Sequence, residues 1–194
     1  MIAHLINTFL LLASLSITAM WARYSAPKKL SWQPVTGIPL VIGFLGMLVL
    51  GASGAVTALG DTLYPSSSLI EGFRQDFSPG AALLVRLRVW HPVIAVLVGA
   101  YLAAAGVWIR SRLPTSLVRR LSYTLIGLFI FQAVLGVINV ILLAPVWMQL
   151  VHLLAADLVW ISFVFLALTV FQTVDLSLRP VDQPIQDRIS QIAH

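Results

Sequence analysis

The 194-residue sequence contains no cysteine. That removes disulfides, thiolate metal sites, covalent c-type heme attachment and a cysteine nucleophile together. Charge is scarce as well: Asp, Glu, Lys and Arg make up 10% of the chain, against roughly 25% in a soluble domain. Apolar residues fill the deficit at 59%, and the mean hydropathy is +0.95. A chain of this composition is embedded in lipid, and its length leaves no room for a soluble domain beside the helices. Acidic residues are fewer than basic ones, giving a net charge of +5. Such a balance suits nucleic acid, but here the Lys and Arg sit in short runs between apolar segments. That is the topology signal of a membrane protein, so nucleic acid is set aside as a partner.

A spanning helix needs about 20 predominantly apolar residues. Five stretches qualify, roughly 2–22, 36–58, 87–109, 121–143 and 148–172. The first has no Lys or Arg ahead of its apolar run, which is longer than a signal-peptide core, so it reads as a span. "RYSAPKKL" carries Arg23, Lys28 and Lys29, and "RSRLPTSLVRR" carries Arg110, Arg112, Arg119 and Arg120. The positive-inside rule makes both loops cytoplasmic. In a bacterial-type cytoplasmic membrane the N-terminus then lies outside and the C-terminal tail inside. The outer connections are a tight one at "APVW" and a long one, "GDTLYPSSSLIEGFRQDFSPG", which holds Asp61, Glu71 and Asp76. Trp21, Trp32, Trp90, Trp108 and Trp147 fall near predicted helix ends, where interfacial aromatics belong. Gly43, Gly46, Gly51, Gly54, Gly127 and Gly136 punctuate the second and fourth spans and read as close-packing faces.

Four histidines occur. His194 ends a polar tail and is assigned no role. His91 and His152 each lie a few residues inside a span that enters from outside, and His4 lies near the outer start of the first. At 1.5 Å per residue, all three sit on the order of 5–10 Å below one membrane face. Intramembrane ionisable residues carry a functional role by default. A proton relay would want groups at successive depths, and here only Asp157 lies deeper. A metal centre would want three or four ligands together, and no His-x-x-x-His or carboxylate cluster appears. Two histidines on separate helices at one depth suit a flat macrocycle held from both faces, as in b-type cytochromes. The alternative is a pair of hydrogen-bonded packing histidines. Small residues follow each ligand candidate: Ala95 and Gly99 after His91, Ala155 and Ala156 after His152. Arg86 and Arg88 lie just outside His91, where heme propionates would point; snorkelling to headgroups is the other reading. The connector 59–85 either covers the heme edge or is a flexible link. Asp157 is about 140° around its helix from His152 and is expected to bond a neighbouring helix.

"MIAHLINTFLLLASL" (1–15) and "MQLVHLLAADLVWISF" (148–163) each place His-Leu early in an outside-to-inside span. If the first span repeats the fifth, spans two to five form one four-helix unit and the first closes a preceding one. Three helices of that preceding unit would be absent or supplied by a partner, leaving His4 as half of a second ligand pair. The expected fold is thus an all-α integral membrane protein with five transmembrane helices. It consists of a four-helix heme-binding bundle (36–173), one helix of a preceding pseudo-repeat with its loop (1–35) and a polar tail (174–194).

"GDTLYPSSSL", "QDFSPG", "LVRLRVWHPVIAVLVGAYL" and "LVHLLAADLVWISFVFLAL" resemble the C-terminal half of the heme A synthase family. "AHLINTFLLLASLSITAMWA" is similar to the helix that closes the N-terminal half. The resemblance runs to about residue 173, and "RLRVWHP" after the Gly-Asp-Thr-Leu loop is its more specific part. It implies eight helices in two four-helix bundles, each with a histidine pair near the extracytoplasmic face. His91 and His152 match the pair that holds heme b. His4 matches the second histidine of the site where heme O is oxidised at a methyl group to heme A, for cytochrome oxidase assembly. That site's first histidine, its catalytic glutamate, its loop and any cysteine pair there have no match in this sequence. The resemblance therefore implies an oxidoreductase of which this chain carries the cofactor half, with heme O or heme A at an incomplete second site. Partners would be the lipid bilayer and the missing helices or another subunit. Two other readings remain: a non-enzymatic b-type cytochrome subunit of a respiratory or photosynthetic complex, and a heme-free scaffold bundle.

Overall fold

The computed structural model describes residues 2–23 and 30–177, with side chains for 2–22 and 30–172. Lys28, Lys29, the Arg23 side chain and the tail with Pro180, Pro184 and His194 lie outside the described residues. Among the described residues seven helices follow one another: α1 (Ile2–Arg23), α2 (Pro34–Leu63), α3 (Leu69–Asp76), α4 (Leu83–Arg88), α5 (Trp90–Arg112), α6 (Ser116–Ile141) and α7 (Val146–Ser177). Among the described residues there is no strand. Five stretches are long and apolar enough to cross a membrane: Ile2–Ala22, Pro34–Leu63, Leu83–Arg112, Ser116–Ile141 and Val146–Gln172. The protein is an all-α integral membrane protein, with five spans among the described residues.

Proline sets most of the boundaries. A residue before proline is pushed out of the α region. Accordingly α2 stops at Leu63, one residue before Tyr64-Pro65, and α5 stops at Arg112, before Leu113-Pro114. This carries α2 five residues past the expected end at 58, because "GDTL" holds no helix breaker after Gly60. After Pro114 the Thr115 hydroxyl accepts from the Val118 amide at 3.2 Å and starts α6 at Ser116, earlier than the apolar run itself. The long connector also contains structure. Ser68, at the head of "SLIE", caps α3 by accepting from the Glu71 amide at 3.2 Å. At the other tight turn, Leu143 (φ 60°) and Ala144 (φ 50°) are left-handed, which brings α6 directly back into Pro145 and α7.

The spans α2, α5, α6 and α7 form a ring in chain order. Each packs on the next, α7 closes onto α2, and α5 and α7 stand on the diagonal. Outside the ring, α1 covers the seam between α7 and α2. The centre of that packing is Trp160, with no exposed surface. It stacks on Phe9 of α1 at 4.8 Å and lies 5.3 Å from Phe44 and 6.3 Å from Phe163. Its indole N–H donates to the Phe9 carbonyl at 2.8 Å. Inside α2, Pro39 leaves its helix a hydrogen bond short, and Tyr101 of α5 donates to the Pro39 carbonyl at 2.9 Å. Gly51 lets α1 approach, since a Cβ there would meet Phe9 and Leu5 at 2.8 and 2.9 Å. Gly127 does not mark a packing face: it is exposed, with open space where a side chain would go. Arg112 lies 4.4 Å over the Trp108 ring at the opposite end from the histidines, and Arg110 lies 4.9 Å from the ring of Tyr123.

Candidate functional site

The histidine end is built by Pro92. Proline has no N–H to offer the Arg88 carbonyl, and its ring crowds that oxygen. The helical hydrogen-bond pattern is interrupted at Val89, between α4 and α5, although Val89 itself keeps αR angles (φ −62°, ψ −29°). His91 is the second residue of α5 and His152 the seventh of α7. The two rings, from diagonal helices, lie 6.4 Å apart between centroids with planes at 82°.

Each ring is cradled by the helix that precedes it in the bundle. His91 Nδ1 is 3.0 Å from Ser53 Oγ on α2, and a Cβ on neighbouring Gly54 would lie 3.1 Å from its Cε1. His152 Nε2 is 3.0 Å from the Gln132 amide nitrogen on α6, and a Cβ on Gly136 would lie 3.1 Å from its Cε1. The α2–α5 and α6–α7 pairs thus repeat one arrangement: a glycine that clears the imidazole and a polar side chain that holds it. Buried atoms without partners gather on the α6–α7 side: His152 Nδ1, Gln132 Oε1 and Asn139 Oδ1. Of the small residues near the histidines, Gly99 is filled by the Phe129 ring, which a Cβ would meet at 2.3 Å.

Arg88 is buried, at 9% exposed. Its Nε donates to Asp76, Nη1 to Asp61 at 3.2 Å and the Tyr64 carbonyl at 3.5 Å, and Nη2 to the Gly72 carbonyl at 3.3 Å and Gln75 at 3.5 Å. One guanidinium thereby ties α4, the end of α2 and the α3 connector together. Arg86 on the same short helix is exposed. His4 is exposed on α1 and is not brought to the histidine pair. Beside it, Ile2 and Ala3 of the same turn, with Ala55, Val56, Leu59 and Leu84, line a pocket of about 440 Å³. Asp157 Oδ1 is buried with no hydrogen bond to a neighbouring helix, contrary to expectation. Among the described residues no three His, Asp or Glu side chains gather as metal ligands.

Neither Ser53 nor Gln132 was singled out from the sequence. Both left a signal, as polar residues inside apolar runs ("LGASGAV", "FIFQAVLG"), where such residues are costly unless paired.

Fold and site together define a polytopic helical membrane protein with two intramembrane histidines meeting near one end of a four-helix ring. The chain belongs to the COX15-CtaA family of cytochrome oxidase assembly proteins, whose family model matches residues 1–164. The resemblance to the heme A synthase family read from the motifs is the same relationship. The chain is also similar to the protoheme IX farnesyltransferases of two strains of Thermus thermophilus, at 51% and 50% identity over 164 residues. Each match covers 84% of this chain and 27% of the relative, so the chain spans about a quarter of the length of these curated relatives. No solved structure gives a significant match.

Proposed function

We propose that this chain is the heme b-binding half of a heme A synthase-type oxidoreductase, with His91 and His152 as the axial ligands. The observation that carries this is the meeting of the two imidazoles, 6.4 Å apart, from helices on the diagonal of an apolar ring. Two metal–imidazole bonds of about 2 Å each suit that spacing. The surroundings suit a macrocycle too: Gly54 and Gly136 clear the ring edges where any side chain would intrude.

Heme bound there would supply a one-electron iron centre. The chain's own residues bind and orient it. Ser53 fixes the His91 ring, Gln132 fixes the His152 ring, and the Arg88 clamp holds the connector across that end of the bundle. With the Arg88 donors engaged in the clamp, Arg86 is the partner for a propionate. The family's place in cytochrome oxidase assembly supports a heme role. So does the name of the longer relatives, which acts on protoheme IX. Only a quarter of those relatives is shared, and we assign the shared segment to holding heme, not to farnesyl transfer. In this reading heme O is oxidised to heme A at a second site that takes His4 from this chain and its remaining residues from further helices or a partner subunit. The histidine end and the N-terminus face outside, and the arginine end faces the cytoplasm.

Reduced-minus-oxidised spectra of the purified chain test the ligand assignment. Bands of a b-type heme in wild type that change in both His91→Ala and His152→Ala support it, and a featureless wild-type spectrum removes it. Extraction of pigment after supplying the complementary helices then separates an enzyme, which forms heme A, from an electron-carrying cytochrome subunit, which does not.

A further inference from the structure

The two imidazoles are held differently, and the difference concerns the lone pair a metal would need. Ser53 donates its single hydroxyl hydrogen to the Leu50 carbonyl at 2.7 Å. Toward His91 Nδ1, 3.0 Å away, it is left as an acceptor, so Nδ1 carries the ring proton. The lone pair of His91 is then on Nε2, away from Ser53. On the other ring the Gln132 amide nitrogen, a donor, lies 3.0 Å from Nε2 of His152. The His152 lone pair is therefore already taken, and its proton sits on Nδ1, buried and without an acceptor. The same tautomer results on both sides, with one lone pair open and one capped.

We propose that Gln132 is a positioning residue that competes for Nε2 of His152, so that His91 anchors the heme and His152 ligates it reversibly. This rests on the heme reading above. Nε2 of His152 would be able to hold heme only with the Gln132–His152 hydrogen bond broken, and with that bond intact Gln132 would keep the ring away. The net charge of the protein is unchanged, and no proton has to leave Nδ1. A bundle that must take up heme during assembly, or expose one face of it, gains from one fixed and one exchangeable ligand.

The test uses the full chain in detergent, loaded with heme b and reduced, with carbon monoxide as probe of the vacated position. A single hydrogen bond shifts such an equilibrium by roughly two- to twelvefold. Gln132→Leu should therefore weaken carbon monoxide binding by that factor, because nothing competes for His152. A merely structural role predicts the opposite: a loosened α6–α7 pair would admit the gas more readily. His152→Ala should keep heme and bind carbon monoxide more tightly than wild type, whereas His91→Ala should lose heme affinity more than tenfold. Unchanged or stronger carbon monoxide binding in Gln132→Leu, or equal heme loss from the two histidine variants, overturns the inference while leaving the heme site standing. Failure of wild type to take up heme overturns the heme reading itself. Histidine ¹⁵N spectra of the heme-free wild type read the same point without a variant. Both rings should be protonated on Nδ1, with Nε2 hydrogen-bonded in His152 and free in His91; the reverse pattern overturns the inference.

Discussion

Gly136 stands so close to His152 that a Cβ there would lie 3.1 Å from the imidazole Cε1. Gly54 has the same relation to His91 at the same 3.1 Å. Neither glycine serves only to bring two backbones together; each leaves the volume its histidine ring occupies.

It follows that Gly54→Ala and Gly136→Ala should each displace an imidazole by a few tenths of an ångström. The expected result is a stability loss of about 1–3 kcal/mol from overpacking, together with lower heme content per chain. Thermal unfolding in detergent and pigment stoichiometry would measure both. Wild-type values in both assays would show that the rings have slack.

What the sequence made legible follows from what lipid does to a helix. Depth is written plainly: apolar length and the positions of His4, His91 and His152 place them near one end, and the structure brings His91 and His152 together there. Azimuth is not. Lipid and bundle interior are equally apolar, so a span such as α6 carries no stripe to say which side faces inward. Gln132 and Gly136 share one face of α6 with His152 before them, and periodicity alone could not reveal it. For the same reason Gly127 looked like Gly136, although one faces open space and the other a histidine. Trp160 was silent because aromatic residues were read by their distance from the membrane ends, and it lies far from both. Prolines 65, 92 and 114 set boundaries that the apolar runs did not mark, since they act locally on the backbone whatever the solvent.

Asp157 offers a stability prediction with an unusual sign. Its Oδ1 is buried with no partner, and an unsatisfied group of this kind costs about 1–3 kcal/mol. Asp157→Leu should raise the unfolding temperature of the purified chain, and Asp157→Asn should leave it near wild type. A clear loss in the leucine variant would mean that the carboxyl has a functional or structural partner in the assembled protein.

The turn between α6 and α7 carries strain in two adjacent side-chain-bearing residues, Leu143 and Ala144, both at positive φ. Glycine adopts that conformation without a Cβ clash. Ala144→Gly should therefore stabilise the chain by up to about 1 kcal/mol, read as a higher unfolding midpoint. The Gln149 amide donates to the Ala144 carbonyl at 2.7 Å and pins the same turn, so Gln149→Ala should act in the opposite direction.

Trp160 holds α1 onto the four-helix ring through its stack on Phe9 and its bond to the Phe9 carbonyl. Trp160→Phe retains the stack and removes the bond, with an expected loss of about 1 kcal/mol. Trp160→Ala removes both and should cost about 3–5 kcal/mol. Cysteine introduced in α1 should then become accessible to lipid-phase reagents in the alanine variant before the ring itself unfolds. Simultaneous loss of all five helices would instead make α1 an integral part of the ring.

Arg88 separates a structural guanidinium from a ligand-binding one. Its donors are all directed at protein acceptors, among them two carboxylates about one-fifth exposed, Asp61 and Asp76. Arg88→Gln strips both of their cation and should cost about 3–5 kcal/mol, the range for breaking a buried pair by removing one partner. Arg88→Lys should rescue little, because a single ammonium cannot reproduce a planar fork that reaches two carboxylates and two carbonyls. The predicted first sign is local: the connector from residue 64 to 82 should become a protease target while α5 to α7 stay protected. Asp76→Asn should show a weaker form of the same cleavage. Arg86→Gln, by contrast, should leave the connector resistant and act on heme affinity, since that side chain is exposed and free to meet a propionate. If both arginine variants lost heme equally with the connector intact, the clamp around Arg88 would have to open when heme binds.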